Sequence, residues 1–482
     1  MLTMDIGKQQ VIERFFAKIE ERYKQLKISE INPQLETYLK HDVLLNIYKK
    51  LLDERETIGN SLLKFQNAKL TTLAHRISKS SYTSRTINIV EDINGELCLI
   101  IETKRKNKYD YKVPYIPVFS GGSRKAKPCW RIDLPTPEEW INNIAYGTSD
   151  VESAIEDTKY SQMLFKKAHE LNTDSDLPNP INYSLLGVPF NSTSKNGQLQ
   201  ISLYSPRACF TLYKAVQMIN APKLLENDII RMIKGVLLTL LVLQDLNLTY
   251  EDMHDSNCLI FKNSNGYFLK LTDFESVGPV GMKKCLGSYQ FASPEIFAAY
   301  SQPSSQHHSY YHKDINRCHG LYHFENSKVT LLENEQKFAS SDFANDMWAA
   351  GIIILEILNF KKPSSFSYAS IEHHTHPLIK GLLQPLRQNR MKLAQAIEVF
   401  NKHYNETVPL ALPTPSDTQM ETDVELIIDC TEKMQEINIQ SPAKRPASPI
   451  LHAYHSHNAP PPSVQTIDIQ TPPRSSLFSM NN

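Results

Sequence analysis

The spacing of hydrophobic residues predicts helices in the first zone of the chain, residues 1–84. Apolar side chains recur every four residues in the segment "VIERFFAKIEERYKQLK", which places them on one stripe of a helix. The segment "LLNIYKKLLDERETIGNSLLKF" repeats this pattern. The stripe of the first segment comprises Val11, Phe15, Ile19 and Tyr23. The zone therefore predicts a helical N-terminal extension, either a packing accessory or a module that binds a partner protein.

The pattern changes at about residue 85, where β-rich segments begin. "RTINIV" and "ELCLIIETKR" are rich in β-branched residues and predict strands. "TSDVESAIEDTKYSQMLFKKAHEL" and "LLENDIIRMIKGVLLTLLVLQDL" predict helices, and the second is apolar enough to be buried. "YSLLGV" and "LQISLYS" predict strands between them. A β-rich half followed by a helical half predicts an α+β fold for residues 85–405.

The last zone, residues 406–482, is polar and rich in Pro and Ser. Segments such as "SPAKRPASPI" and "NAPPPSVQTIDIQTPPRSS" cannot bury enough apolar surface to offset the entropy of ordering. We therefore expect a disordered tail.

Composition and charge narrow the class of protein. Lys plus Arg and Asp plus Glu are 52 each, so the net charge is zero and nothing indicates a nucleic-acid partner. The seven cysteines are scattered without a CxxC pair, which argues against a zinc site or a disulfide framework and predicts a reducing, cytoplasmic location. The N-terminus lacks the apolar run of a secretory signal. The most apolar stretch, "VLLTLLVLQDLNL", is too short to cross a bilayer, so we expect no transmembrane segment.

Four motifs carry the candidate chemistry. The stretch "LTYEDMHDSNCLIF" at 248–261 places Asn257 five residues after Asp252. Asp273 follows an apolar, strand-like run in "YFLKLTDF", and "GSYQFASPE" and "NDMWAAGIIILEIL" come later in the chain. An isolated Asp-x4-Asn or Asp-Phe is common by chance, so the signal lies in the combination and its order.

This series resembles the eukaryotic-like Ser/Thr protein kinase family, whose motifs HRDxxxxN, DFG, APE and DxWxxG occur in the same order. The resemblance covers about residues 85–405. It implies a bilobal protein-kinase-like fold with a small β-rich N-lobe and a large helical C-lobe. It also implies ATP- and Mg²⁺-dependent transfer of the γ-phosphate to Ser/Thr hydroxyls of a protein substrate.

The resemblance implies a role for each matched residue. Asp252 would accept or orient the proton of the substrate hydroxyl. Asn257 and Asp273 would hold Mg²⁺ through oxygen ligands, which this hard cation prefers. His254 stands where the family has Lys, and it can still donate a hydrogen bond to the γ-phosphate. Asp346 would cap the backbone of the catalytic loop.

Three positions depart from the family pattern. Tyr250 replaces a His that is mostly structural, and Glu275 replaces the Gly of DFG, which removes backbone freedom at the start of the activation loop. Glu251 replaces an Arg that often grips a phosphorylated activation loop. Because Glu repels phosphate, we expect an activity that does not depend on activation-loop phosphorylation.

The segment "GSYQFASPE" is expected to lie on the substrate side. Ser288 matches a Thr that the family places near the catalytic Asp. Glu295 matches the Glu of APE, with Arg390 as its predicted ion-pair partner. The insert at 300–340 is rich in His and Tyr, and we expect it to be a substrate-docking insertion that contacts a partner protein, an inert loop or a fragment of a metal site.

Two registers stay open for the residues that cradle the nucleotide. In "FSGGSRKAK", Gly121 and Gly122 let backbone N–H groups approach phosphate, and Lys127 adds positive charge. In the other register, Gly95 provides the turn and Lys112 provides the strand Lys. The spacing from glycine to lysine fits the second register better, but its glycine content is poor.

In the family, a helix Glu pairs with the strand Lys. The segment "SDVESAIEDTKYSQML" offers Glu152 and Glu156, one turn apart, and Glu156 is favoured. The lack of a clear glycine loop and strand Lys favours an alternative function, a pseudokinase scaffold that binds partner proteins without catalysis. The intact set of Asp252, Asn257 and Asp273 argues against that alternative.

A third hypothesis is a small-molecule kinase of the aminoglycoside or choline type. His254 favours it, but such enzymes lack a segment like "GSYQFASPE". The divergent sequence, the helical extension and the tail resemble in style the translocated kinase effectors of intracellular bacteria. That resemblance implies secretion into the cytosol of a host cell and action on host proteins.

Overall fold

The structure is a computed structural model of the 482-residue chain. It describes residues 2–31, 36, 39–64, 75–79, 83–105, 119–120, 125–146, 148–171, 177–187, 200–217, 223–281, 291–293, 323–325, 328–330, 342–359, 375–384, 387–406 and 408. Within these residues, no helix combines the length and the apolar character needed to pass through a membrane.

Three N-terminal helices pack on one face of a sheet. They are α1 (Leu2–Leu26), α2 (His41–Asp53) and α3 (Arg55–Lys64). Phe15 and Ile19 of the predicted stripe are buried in one core with Ile47 of α2 and with the sheet residues Leu99 and Trp130. Packing of this kind supplies most of the stability of short helices in water. The apolar stripe is therefore covered by the sheet and is not open to a partner protein.

An antiparallel sheet forms the β-rich half. Its strands are β1 (His75–Lys79), β2 (Thr83–Glu91), β3 (Leu97–Arg105), β4 (Phe119–Ser120), β5 (Lys125–Arg131), β6 (Glu138–Tyr146), β7 (Leu185–Gly187) and β8 (Gln200–Pro206). They follow the order β1-β2-β3-β5-β6-β8-β7, and β4 pairs with β5. Because β2 also contacts β7, the sheet curls around an interior core. Alternation along β3 places Cys98 and Ile100 in that core and Leu99 and Ile101 under the helices.

Helix α4 (Thr148–Leu171) connects β6 to β7 and contacts both halves of the fold. Near its start, Ala154 packs with Leu203 of β8. Further along, Leu164 and Ala168 belong to the large core of the helical half. A shift of α4 would therefore disturb the packing of both halves.

The helical half is built around two buried helices. Its elements are β9 (Phe210–Thr211), α5 (Leu212–Gln217), α6 (Glu226–Asp245), β10 (Leu248–Thr249), β11 (Cys258–Asn263), β12 (Gly266–Leu271), β13 (Gly278–Pro279), β14 (His323–Glu325), β15 (Lys328–Thr330), α7 (Phe343–Leu358), α8 (Pro377–Leu382) and α9 (Leu393–Tyr404). α6 and α7 are buried on nearly all sides and contact each other. A helix that is apolar all round belongs in the middle of a core.

The predicted mixed α+β class is confirmed, and its sheets are antiparallel. Strand β6 has no counterpart among the predicted strands. Its sequence, "EEWINNIAY", contains Glu and Asn, which are depleted in strands. The tail predicted at 406–482 lies outside the described residues except for Glu406 and Val408. The 300–340 insert is described only at β14 and β15.

Candidate functional site

The candidate site forms at one end of the β11–β12 hairpin. The loop with Asp252 and Asn257 leads into β11, and Asp273 follows β12. The backbone N–H of Thr272 donates to the carbonyl of Asn257 at 3.1 Å, and the Tyr250 hydroxyl donates to the Thr272 carbonyl. Because antiparallel neighbours end side by side, the hairpin brings two distant motifs together.

Asp346 of α7 holds the loop before β11. One of its carboxylate oxygens accepts the N–H of Tyr250 at 2.8 Å, and the other accepts the N–H of Glu251 at 3.0 Å. Burial raises the pKa of Asp346, and these two backbone hydrogen bonds act in the opposite direction. The prediction that Asp346 caps the backbone of this loop is confirmed.

Asp252 and Asn257 lie side by side, and both are buried. The Nδ2 of Asn257 donates to the backbone carbonyl of Asp252 at 3.1 Å and reaches within 3.5 Å of its Oδ2. The Oδ1 of Asn257 accepts no hydrogen bond from the described part of the chain. Mg²⁺ takes oxygen ligands of this kind, so Asn257 fits the predicted role of a metal ligand.

Asp273 has a left-handed backbone, with φ of 65° and ψ of 65°. Asp tolerates this conformation better than most residues with a side chain. Four non-glycine residues in the described segments have a positive φ, and two of them, Glu251 and Asp273, belong to this site. Backbone strain of this kind persists mainly where the surrounding structure enforces it, often at functional sites.

Tyr250 anchors the two segments of the site to each other. Its side chain is fully buried, and its ring lies 5.3 Å from that of Phe274. Burial raises the pKa of the Tyr250 hydroxyl far above its usual range, and the charges of Asp273 and Asp252 raise it further. The hydroxyl therefore keeps its proton and stays a donor to the Thr272 carbonyl. Tyr250 has the structural role that the sequence suggested for it.

His254 lies among the carboxylates of the site. Its Nε2 is 3.8 Å from the Asp252 Oδ2, and its Nδ1 is 3.7 Å from the Asp255 Oδ1. Burial lowers the pKa of His254, but the hydrogen bond with Asp255 and the charges of Asp252, Asp255 and Asp273 outweigh it, so the pKa is raised. The neutral ring accepts the N–H of Ser256 at 3.2 Å through Nδ1. The protonated ring would instead direct both N–H groups at carboxylates or at an incoming anion.

Helix α4 contributes a carboxylate that the sequence interpretation missed. Asp157 accepts the backbone N–H of Phe274 at 2.8 Å and the Ser184 hydroxyl at 3.3 Å. The predicted Glu156 is the preceding residue and is half-buried. Burial raises the pKa of Tyr160, and the charge of Glu156 raises it further. The pairing of Glu156 with a Lys stays a prediction.

A pattern in the sequence could have identified Asp157. Residues of α4 at spacings of three and four form one buried stripe along the helix. The stripe comprises Ala154, Asp157, Ser161, Leu164 and Ala168. Asp157 is the acidic residue on that stripe, whereas Glu156 lies beside it.

Most of the predicted nucleotide-binding residues lie outside the described residues. These are Gly121, Gly122 and Lys112. Lys127 lies in β5 opposite Asn142 of β6, but its side chain is outside the description. Strand β6, which directly precedes α4, contains no Lys.

The segment "GSYQFASPE" is described at three residues, 291–293. Phe291 is buried and its ring lies 6.0 Å from that of His254. The Ser293 hydroxyl donates to the Oδ1 of Asn345 in α7 at 2.7 Å. Arg390 donates to the Ala344 carbonyl at 2.9 Å. Ser288 and Glu295 lie outside the described residues, so the ion pair predicted for Arg390 stays a prediction.

No group of three or more His, Cys, Asp or Glu side chains in the described segments is arranged to hold a metal ion by itself. The predicted ligands, Asn257 and Asp273, are two oxygen donors, a number typical of sites where Mg²⁺ also binds water and phosphate. Comparison with models of protein families finds no match to this chain, and comparison with curated proteins finds none either.

Proposed function

We propose that this protein is a kinase that transfers the γ-phosphate of ATP to Ser/Thr hydroxyls of protein substrates in the presence of Mg²⁺. The observation that carries the proposal is the meeting of Asp252, Asn257 and Asp273 at one end of the β11–β12 hairpin. Phosphoryl transfer needs positioning and electrostatic stabilisation more than covalent chemistry by the protein. The site offers a proton acceptor, oxygen ligands and a cationic donor at one place.

In the proposed reaction, Asp252 orients the nucleophile. The hydroxyl oxygen of the substrate Ser or Thr forms a bond to the γ-phosphorus while the bond from that phosphorus to the β–γ bridging oxygen breaks. The hydroxyl proton passes to the Asp252 carboxylate, and ADP leaves. Asn257 supports this role because its Nδ2 donates to the Asp252 backbone and holds the loop in place.

His254 and the metal ligands would handle the charge of the phosphates. The protonated Nε2 of His254 can donate to the γ-phosphate, and the raised pKa keeps that proton in place at higher pH than usual. Mg²⁺, when bound, would neutralise negative charge on the transferring phosphoryl group. Asn257, through its Oδ1, and Asp273 are the residues that would hold it.

A bilobal protein-kinase-like arrangement is part of the proposal. The β-rich half and the helical half are joined around residues 206–210, where the N–H of Cys209 donates to the Ile260 carbonyl at 2.9 Å. Helix α4 reaches from the sheet to the segment after Asp273. Clefts between two such halves are common places for ligands.

A second candidate function is a pseudokinase scaffold that binds partner proteins without catalysis. The absence of Lys from β6 favours it, because the nucleotide would lack its usual strand cation. The two candidates differ in turnover. A scaffold would transfer no phosphate under any condition, whereas a kinase that takes its cation from another strand would.

The proposed setting is the cytosol, with a host cell as the destination of a secreted effector. The resemblance in style to translocated kinase effectors supports this setting. The proposed partners are the protein substrate and a protein docked at the N-terminal helices or at the 300–340 insert. At the N-terminal helices, the partner would contact the faces of α1 to α3 that point away from the sheet, because the apolar stripe packs on the sheet.

Transfer of labelled phosphate with an Asp252→Ala variant tests the proposed function. The variant should lose label transfer to generic and peptide substrates and to itself, while its circular dichroism and thermal unfolding match those of the wild type. Asp53→Ala is the matched control, since Asp53 is exposed in α2. A variant that transfers phosphate at the wild-type rate would remove Asp252 from its role.

A further inference from the structure

One face of the β11–β12 hairpin carries a lysine that lies against two aromatic rings. Phe261 of β11 pairs with Phe268 of β12, and Lys270 lies two residues further along β12, on the same face. The two phenyl rings stack with their centroids 5.7 Å apart and their planes at 19°. The Lys270 Nζ is 5.3 Å from the centroid of the Phe261 ring and 5.9 Å from that of Phe268. Because Leu259 lies directly opposite Lys270, the surroundings of this amine are apolar on the strand side as well.

Lys270 forms no ion pair with a carboxylate in the part of the chain that the structure describes. The charged side chain that shares the Phe268 ring with it is that of Arg231 in α6, whose Cζ lies 5.6 Å from the ring centroid. Arg231 is a second cation, so it does not offset the charge of Lys270. The ammonium form of Lys270 is therefore stabilised by ring faces alone, a contact weaker than a buried pairing with a carboxylate.

Two effects on the protonation of Lys270 oppose each other. The ring faces attract an ammonium ion and favour the protonated form, whereas loss of water around Nζ favours the neutral amine. Burial is the larger effect and lowers the pKa of Lys270 to about 8. At about pH 7.5, roughly a quarter of such side chains are neutral, against roughly one in a thousand for a lysine with the usual pKa. The neutral amine is the nucleophilic form, and lysines in apolar surroundings are the ones that form Schiff bases.

We propose that Lys270 is a covalent binding site for aromatic aldehydes, whose ring would pack on Phe261 and Phe268. The Nζ lone pair forms a bond to the carbonyl carbon, and the π electrons of the C=O bond move to the oxygen, which takes up one amine proton. The carbinolamine then loses this oxygen as water together with the second amine proton, and a C=N bond remains. The step needs no oxidant or reductant, and it does not depend on phosphate transfer. Lys270 and Phe261 are only partly buried, so a small molecule can reach this face.

Reductive labelling with benzaldehyde and cyanoborohydride tests the proposal on the full chain. The adduct at each lysine is measured by mass spectrometry of peptides after labelling at about pH 7.5. Lys262 is the internal control, because it is exposed on the same hairpin and its Nζ also lies near a ring, 5.1 Å from the centroid of Tyr267. We expect Lys270 to be labelled about tenfold faster than Lys262. Labelling of Lys270 at the rate of Lys262, or more slowly, would overturn the proposal.

A change of aldehyde tests the role of the two rings. Propanal has the same reactive group as benzaldehyde but no ring to pack on Phe261 and Phe268. The ratio of Lys270 labelling to Lys262 labelling should therefore be about threefold or more higher with benzaldehyde. Equal ratios for the two aldehydes would overturn the proposal of a site for aromatic compounds.

A Phe261→Glu variant tests the apolar surroundings of the amine. A carboxylate beside Lys270 would favour the ammonium form, so labelling of Lys270 at about pH 7.5 should fall about tenfold while labelling of Lys262 stays the same. Circular dichroism and thermal unfolding check that the variant is folded. Labelling of Lys270 at the wild-type rate in the folded variant would contradict the proposal, and the comparisons in the wild type decide it if the variant does not fold.

Discussion

The carboxylate of Asp157 accepts the backbone N–H of Phe274 at 2.8 Å, which ties helix α4 to the residue after Asp273. Asp157 is buried, and its other oxygen accepts the Ser184 hydroxyl beside β7. One side chain therefore links the sheet, the helix and the segment with the proposed metal ligand. Movement of α4 would change the position of Asp273.

Replacement of Asp157 tests this link. Asp157→Ala leaves a buried N–H of Phe274 without its acceptor, so we expect a loss of about 1–3 kcal/mol in the free energy of unfolding. Asp157→Asn keeps an oxygen acceptor and should lose less. Urea denaturation measures both variants, and Glu152→Ala, exposed in the same helix, serves as the control. An Asp157→Ala variant as stable as the control would contradict the link.

Asp346 should matter more for stability than its position in the helix alone suggests. Asp346→Ala removes the acceptor of the buried N–H of Tyr250 and of the partly buried N–H of Glu251, and a buried N–H left without an acceptor costs about 1–3 kcal/mol. We expect the largest increase in hydrogen exchange in the loop 250–257, with α7 itself still helical by circular dichroism. A uniform loss of protection across α6 and α7 would mean that Asp346 stabilises the core in general and not this loop.

The raised pKa of His254 predicts a dependence on pH. A His whose pKa is raised on folding contributes stability that is present below its unfolded pKa and is lost as the pH rises through its folded pKa. The wild type should therefore exceed His254→Gln in stability most clearly at about pH 6 and least at about pH 9. Phosphate transfer should decline over the same range, because the neutral ring loses a donor.

His254→Lys separates the two effects. Lys stays protonated throughout this range, so the variant should show a flat rate profile where the wild type declines. His169→Lys is the control, since His169 is exposed on α4, and it should keep the wild-type profile. Identical profiles for the wild type and His254→Lys would show that the His254 proton has no part in the reaction.

The two nucleotide registers predict different lysines. Lys127→Ala and Lys112→Ala should differ in their effect on ATP affinity, with a loss of about tenfold or more in the variant that removes a phosphate contact. Titration with a fluorescent ATP analogue measures this, and Lys49→Ala, exposed in α2, is the control. Equal and negligible losses in both variants would mean that neither register is correct.

The hydrophobic pattern predicted the helical half well, because long apolar helices have few alternatives. The segment predicted as a buried helix, "LLENDIIRMIKGVLLTLLVLQDL", contains α6. The predicted helix "TSDVESAIEDTKYSQMLFKKAHEL" is α4. Strand β6 was not predicted, because its Glu and Asn residues have low strand propensity and the strand forms through pairing with its neighbours in the sheet. Local patterns do not contain that tertiary information.

The sequence likewise predicted some contacts of the candidate site and missed others. The resemblance carried by the motif "NDMWAAGIIILEIL" implied that Asp346 contacts the loop, and the structure shows this contact. Asp157 could be found only through the buried stripe of α4, and the contact of Glu251 with Asp342 could not be found at all. That contact joins residues far apart in sequence through a backbone conformation that Glu seldom adopts.

Label transfer from ATP in the presence of Mg²⁺, measured for the wild type beside Asp273→Ala, tests whether this site transfers phosphate. Both proteins should show the same helical content, because Asp273 follows β12 and is only partly buried. We expect the wild type to transfer label, to itself or to substrate, and Asp273→Ala to transfer none. Transfer by both proteins, or by neither with peptide substrates and candidate activators present, would contradict this expectation.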